Sequence, residues 1–491
     1  MSDNKTTPGP APNGLGRGLF ATRDLRACEN VLHIENPFIA ILETDRLDST
    51  CSGCFGIGKN QRDANENGRI LKACTGCHVV KYCDKACQAK DWKLAHSHEC
   101  AIFRKLKPRV LPINARALLR MVLRTNAKKN AFSKEELDLF RSLETHIVDI
   151  RRANSEQWQR IALTAKAVKE YSGTELEEEL IAAFCAKLDL NSFNLTDSRY
   201  DRIGVYVHPY AALINHSCDY NAVVGFDGPE LYIRALRPIA KGEQIFICYI
   251  DTTYPAIIRQ KELRERFYFE CRCDKCLREQ TLDTKDGSQA AALAMTNKFF
   301  ENLPDMNKRQ QLVSTIEALL ENDWPVRQQP FPYLLGELIA ADLSAGKTGN
   351  AFVCDVFRYV LDKDVYPQGA HPCRALHLWS VALTAMHLYD QSMTDALLET
   401  PTIAKKDWDK SFTSSIKVNY GLIAFTLLST LVQQEETYCT VPGFRLIIRE
   451  AFAQMQSEFI KPGVNVNTVI GRMDDTMTFM HVISMSVISS S

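Results

Sequence analysis

Apolar residues change their spacing several times along the chain, and each change predicts a different kind of element. After a Gly-rich turn at Gly14, the run VLHIENPFIAIL has short apolar stretches broken by Asn-Pro, which predicts strands up to about Ala40. Over 113–190 the segments INARALLRMVLR, KEELDLFRSLETHI and LEEELIAAFCAKL carry apolar residues at helical spacing. Short β-rich pieces return over 203–250, in GVYVHPYAALI, NAVVGFDG, ELYIRAL and EQIFICYI. A charged helix is expected over 255–268. The polar segment DTKDGSQ at 283–289 marks a boundary. Beyond it KRQQLVSTIEALLE, PYLLGELIAADL, CRALHLWSVALTAMHLYD and FTSSIKVNYGLIAFTLLSTLVQQE each show an apolar face several turns long. They predict stacked helical pairs without a legible repeat period. Residues 1–12, polar and Pro-rich, are expected to be disordered.

Composition narrows the class. The 491 residues carry 59 Lys plus Arg against 59 Asp plus Glu. That balance, with no charged tail, argues against a histone-like nucleic-acid binder. A mild basic patch over 85–109 leaves duplex DNA as a weak possibility. The longest apolar stretch, YGLIAFTLLSTLV at 420–432, is too short to cross a bilayer. The opening MSDNKTTPGPAP lacks the apolar centre of a secretory signal, so the cytoplasm, the nucleus or both are the expected locations, with no membrane association. The unusual count is 17 Cys, which in an intracellular chain points to thiolates on metal.

Spacing supports that reading. Cys51-x2-Cys54 is followed by Cys74-x2-Cys77-x5-Cys83-x3-Cys87-x8-His96-x3-Cys100, with the polar loop NQRDANENGR at 60–69 between them. Eight ligands make two closed tetrahedral Zn²⁺ sites, whose binding supplies folding energy that so small a module otherwise lacks. His98 is the expected bystander, and His78 lies inside a knuckle as a solvent residue or a support. Further on, Cys271-x-Cys273-x2-Cys276 offers three thiolates and needs a fourth, which Cys218 in NHSCDYN can give. The result would pin a chain segment to a distant loop.

YCDKACQAKDWKLAHSHEC resembles a MYND-type zinc finger. That likeness implies interleaved ligands: Cys51, Cys54, Cys83 and Cys87 on one ion, Cys74, Cys77, His96 and Cys100 on the other. It also implies binding of proline-containing peptides. NHSCDYNAVV, KGEQIFICYI and RERFYFECRCDKC resemble the closing half of a SET-domain methyltransferase with its post-SET cysteines, and GLGRGLFA resembles the opening turn. A SET domain interrupted by a MYND finger and followed by helices is the arrangement of the SMYD family. The implied fold is α+β: a SET-domain β-fold with a pseudoknot, the inserted finger, a post-SET zinc cluster and a TPR-like C-terminal helical domain. The implied divisions are 13–50 and 191–252 for the SET parts, 51–100 for the finger and 101–190 for a helical insert. The post-SET region would cover 253–282 and the helical domain 283–491.

The resemblance implies a protein-lysine N-methyltransferase using S-adenosylmethionine, with three structural Zn²⁺, and a monomer. Its protein substrate would offer a target lysine, in a histone or elsewhere. Leu15, Gly16, Arg17, Asn191, Asn215, His216, Tyr249 and Phe269 would hold the donor. Tyr249 would be catalytic, and Phe193 and Phe267 would line the lysine channel. Where relatives carry Pro and a second channel Tyr, this chain has Tyr220 and Phe267, and Leu190 replaces a common Cys. Tyr220 is expected to alter loop stiffness more than chemistry. The competing reading is a non-catalytic adaptor that binds protein partners. Counting eleven metal-bound thiolates against three Zn²⁺ moves the formal charge from zero to −5, which favours a basic protein tail over DNA.

Overall fold

The computed structural model describes residues 5–12, 16–56, 70–125, 127, 132–283, 309–321, 324–392, 396–397, 403, 417–459 and 473–485. Its start corrects the expected disorder. Thr6–Pro10 is a strand paired antiparallel with Arg17–Ala21, Thr6 opposite Ala21. The fixed φ of proline suits extended backbone. Thr6 is buried with its hydroxyl 3.1 Å from the Tyr210 hydroxyl, and Lys5 reaches the Asn30 carbonyl and the Glu29 carboxylate. A polar composition concealed these anchors.

Two three-stranded antiparallel sheets form the β core. One runs Ile39–Leu42, Arg202–Val207, Phe193–Thr196; the other runs Ala222–Asp227, Glu230–Ala235, Asn30–Ile34. Gly204 lies against Ile41 so closely that a Cβ there would meet the Ile41 carbonyl oxygen at 2.1 Å. Separately, Asn215–His216 pairs in parallel with Phe246–Ile247. Two residues a side are enough to join chain segments that are distant in sequence.

The strand Ile39–Leu42 is an edge strand, and the helix Ile113–Thr125 covers it. Helical spacing over this segment predicted an amphipathic helix, and its arginines are part of the buried face. Arg116, Arg120 and Arg124 are 3%, 6% and 7% exposed. They donate to the carbonyls of Leu42, Ala40 and Phe38 respectively. Four helical residues rise about 6 Å and two strand residues advance about 6.7 Å, so each arginine meets every second carbonyl. Unpaired edge carbonyls are thereby satisfied rather than left buried and orphaned.

Arg120 also binds the finger. Its guanidinium makes two bonds to Glu99, at 2.6 and 2.8 Å, and lies 3.6 Å from Asp91, which accepts from the Tyr82 hydroxyl at 2.7 Å. Burial works against the Glu99 charge, yet Arg120 holds that carboxyl down to about 2.

Beyond the β core, consecutive helices Arg309–Glu321, Phe331–Ser344, Thr348–Val365, Pro372–Ser392 and Tyr420–Gln433 pack each on the next, followed by Pro442–Phe459 and Met473–Met485. Arg234 to the Thr440 carbonyl (2.6 Å), Gly443 N–H to Asp227 (2.8 Å) and Tyr220 hydroxyl with His371 (3.0 Å) fasten them to the sheets. Tyr220 therefore does more than set loop stiffness.

Replacing Arg120 leaves Glu99 as a buried charge without its partner. Arg120→Met is expected to cost about 3–5 kcal/mol in urea unfolding. Arg202→Met, which removes a half-exposed partner of Glu43, should cost about 1 kcal/mol or less. Equal losses in the two variants would contradict the buried network.

Candidate active site

Three groups of sulfur and imidazole ligands converge. Cys51, Cys54, Cys83 and Cys87 form one, Cys74, Cys77, His96 and Cys100 a second, and Cys218, Cys271, Cys273 and Cys276 a third, each with its ligand atoms within 4.8 Å of one another. A tetrahedral ion with Zn–S bonds of about 2.3 Å places its sulfurs about 3.8 Å apart. Cys54 and Cys83 sulfurs stand 3.8 Å apart, Cys74 and Cys100 3.8 Å, and Cys218 and Cys276 3.5 Å. The donor sets thus fit structural Zn²⁺, with the interleaved pairing.

Local geometry prepares them. The Gly53 and Cys83 N–H groups donate to Cys51 Sγ. The neighbouring Cys54 thiol and these amides pull the Cys51 thiol down to about 5 against the cost of burial. Trp92–His96 is a π-helical turn between two α-helices, and His96 is fully buried within it. His98 lies outside the ligand group. Glu99, 3.8 Å from His96 Nδ1, sits where a carboxylate can orient the ligand ring.

A cavity of about 1290 Å³ is lined by Gly16, Arg17, Asn191, Phe193, Asn215, His216, Tyr249, Phe267 and Phe269. Leu15 lies outside the described residues. Gly16 has φ +70°, and the space a Cβ would take there is open. A Cβ on Gly18 would come 2.4 Å from Gln244 Nε2 and 3.1 Å from Asn215 Nδ2. Asn215 in turn donates to the Arg17 carbonyl at 3.0 Å. The Gly-rich turn and the Asn-His segment are thus one surface, with exposed main chain that suits a small polar ligand. Asn191 spends its Nδ2 on the Lys187 and Glu144 carbonyls, so it braces the wall.

His216 and Tyr249 are joined directly. The Tyr249 N–H donates to His216 Nδ1 at 3.0 Å, so the ring proton belongs on Nε2, 3.3 Å from Cys218 Sγ. Burial pushes the His216 imidazole down to about 4, so it is neutral at pH 7. The Tyr249 hydroxyl donates to the Ile214 carbonyl at 2.6 Å, and burial raises its phenol pKa. It is a neutral phenol with oxygen lone pairs still available.

Phe267 ends the helix Ala256–Phe267, and Tyr268 turns the chain at φ +62°. That left-handed step leaves both neighbours beside Tyr249, with the Phe267 ring 5.0 Å away and the Phe269 ring 6.5 Å away and edge-on. Phe269 also lies 5.9 Å from His216. Cys218, Cys271 and Cys276 pack behind these rings, so the third metal cluster supports the aromatic wall. Sequence reasoning passed over Tyr268, Glu144 and His146. Tyr268 stacks on His146 at 4.9 Å and donates to Gln157, and all four line the cavity. Only the tripeptide FYF hinted at it.

The SET domain family model matches residues 16–250. Histone-lysine N-methyltransferase SMYD3 of Homo sapiens is 28% identical over 396 residues, covering 78% of this chain and 89% of that protein. The chain is similar to SET-domain lysine methyltransferases of the SMYD type. N-lysine methyltransferase SMYD2 of Gallus gallus is 27% identical over 63% of this chain and 70% of its own length. Among solved structures, the SET domain of LSMT bound to lysine and AdoHcy aligns at TM-score 0.29 and 15% identity, over 55% of this chain and 54% of that one. A likeness that small carries no argument.

Elemental analysis of the purified chain should return three zinc ions per molecule. Cys276→Ser should lower the count to two while the finger keeps its pair. Two or fewer in the unaltered protein would contradict the ligand sets.

Proposed function

We propose that this chain is a protein-lysine N-methyltransferase dependent on S-adenosylmethionine. The observation that carries the proposal is the convergence of Tyr249, His216 and Asn215 on one cavity, with a neutral phenol between two phenylalanines. The main chain at Gly16 and Arg17 would meet the donor's amino-acid end. Asn215 and the His216 main chain would meet the polar edge of the adenine, and Phe269 its face. When bound, the donor supplies a methyl group on a sulfonium, positioned for in-line transfer to an amine.

The chain's own residues have two tasks. Alignment of nucleophile and leaving group supplies proximity. The target amine must also lose its proton, although free lysine has a pKa of about 10.4. The apolar walls formed by Phe193, Phe267 and the Tyr249 ring favour the neutral amine by withholding solvent. Because the Tyr249 hydroxyl donates its hydrogen bond to the Ile214 carbonyl, its oxygen can accept from the amine and stabilise partial positive charge on the methyl. Tyr249 is not a base in this scheme.

The substrate class is a protein with an accessible lysine, a histone being one candidate, as the relatives' names suggest. A basic segment suits a metal-loaded chain that is mildly acidic. The finger would recruit proline-containing peptides, and the enzyme would act as a monomer in the cytoplasm, the nucleus or both. Among the described residues no helix is long and apolar enough to cross a membrane.

Tyr249→Phe should bind S-adenosylmethionine within about threefold of the unaltered chain by calorimetry and lose about 10²-fold in kcat. Unchanged turnover in that variant would refute the role given to the hydroxyl. With burial raising the phenol's pKa, Tyr249 stays protonated through the assay range. The rate should therefore climb from pH 7 to 9 as the substrate amine loses its proton, with the same slope in the variant. A slope that vanishes in Tyr249→Phe would mean that the phenol itself titrates.

A further inference from the structure

Two thiols outside the three metal groups meet at the seam between the β core and the C-terminal helices. Cys439 Sγ lies 3.7 Å from Cys28 Sγ, although 411 residues separate them. Both backbones are held. Cys28, at φ +63°, donates its N–H to the Ala235 carbonyl and accepts at its own carbonyl from Arg234, whose guanidinium also grips the Thr440 carbonyl. Cys439 donates its N–H to the Ala370 carbonyl at 2.8 Å. Among the described residues neither thiol belongs to a group of three metal-capable side chains, so a zinc ion would lack ligands here.

The two sulfurs are unlike. The adjoining Cys439 thiol, with Arg234 and Arg445 adding positive charge, pulls Cys28 down to about 7, while hydrogen bonding to Cys28 and burial push Cys439 up. Cys28 is half-buried and Cys439 is buried. The pair therefore has a reachable thiolate beside a shielded thiol, which is the arrangement of an attacking and a resolving cysteine.

We propose that Cys28 and Cys439 are a reversible oxidation site, closed to a disulfide by a hydroperoxide, that ties the SET core to the C-terminal helical domain. The Cys28 thiolate attacks the peroxide oxygen, the O–O bond breaks and, with hydrogen peroxide, one water leaves, giving a sulfenic acid. The Cys439 sulfur then displaces the hydroxyl as a second water. Two thiols are oxidised by two electrons and one peroxide is reduced. The bond of about 2.05 Å requires an approach of about 1.7 Å, within reach of side-chain rotation. Cys439 packs with Tyr220 and Ala370, next to His371 in the cavity wall, so the bond would fix that wall to the sheet.

The test treats the zinc-loaded full chain with graded hydrogen peroxide, blocks free thiols and maps peptides by mass spectrometry without reduction. A Cys28–Cys439 cross-link should appear while zinc is retained and disappear on adding dithiothreitol. It should be absent from Cys28→Ser and Cys439→Ser, and the latter should hold Cys28 as a sulfenic acid trapped by dimedone. The cross-linked chain should melt several degrees higher than the reduced chain. Cross-linking only at doses that strip zinc, or no dimedone adduct at Cys28 in Cys439→Ser, would overturn the proposal. Neither readout depends on methyl transfer.

Discussion

The parallel pairing of Asn215–His216 with Phe246–Ile247 is the contact on which the site depends. It is two residues long on each side, yet everything chemical hangs from it. Asn215 reaches back to Arg17, His216 reaches forward to the Tyr249 N–H, and Cys218 follows directly into the third metal group. If the pair slipped by one residue, alternate side chains would change faces and His216 would leave Tyr249. So short a ladder cannot hold itself, and the supports around it explain the rest of the architecture. The metal group braces it from one side, and the Gly-rich turn closes it from the other.

A second chain of constraints runs through Arg120. One guanidinium satisfies a carbonyl of the edge strand and a carboxylate beside the finger's second metal group. Folding of the finger and protection of the sheet edge are therefore linked through one buried residue. The inserted finger is thus built into the β core rather than attached to its surface.

How legible this was depended on whether the information was local. Metal ligands were plain, because the chemistry fixes both residue type and spacing: Cys51 to Cys100 and Cys271 to Cys276 could be read directly, and Cys218 followed from the missing fourth ligand. The sheets and the C-terminal helices were visible as changes in apolar period. The role of the arginines of Ile113–Thr125 was not legible, because their partners are carbonyls more than seventy residues away. The N-terminal strand was missed because its partner strand, not its composition, orders it. The stacking of Tyr268 on His146 was barely legible, hinted at only by FYF, because positive φ at non-glycine residues leaves no mark in sequence. Tyr220 read as a stiffness change until His371 was found opposite its hydroxyl.

Methyl transfer itself is the central claim, and one measurement addresses it directly. The zinc-loaded chain is incubated with a cell extract and S-adenosylmethionine carrying a labelled methyl, and mass spectrometry locates the label. The account predicts label on the side-chain amine of lysine in one or a few proteins. A chain that binds the donor but labels no protein, or labels only residues other than lysine, would contradict it.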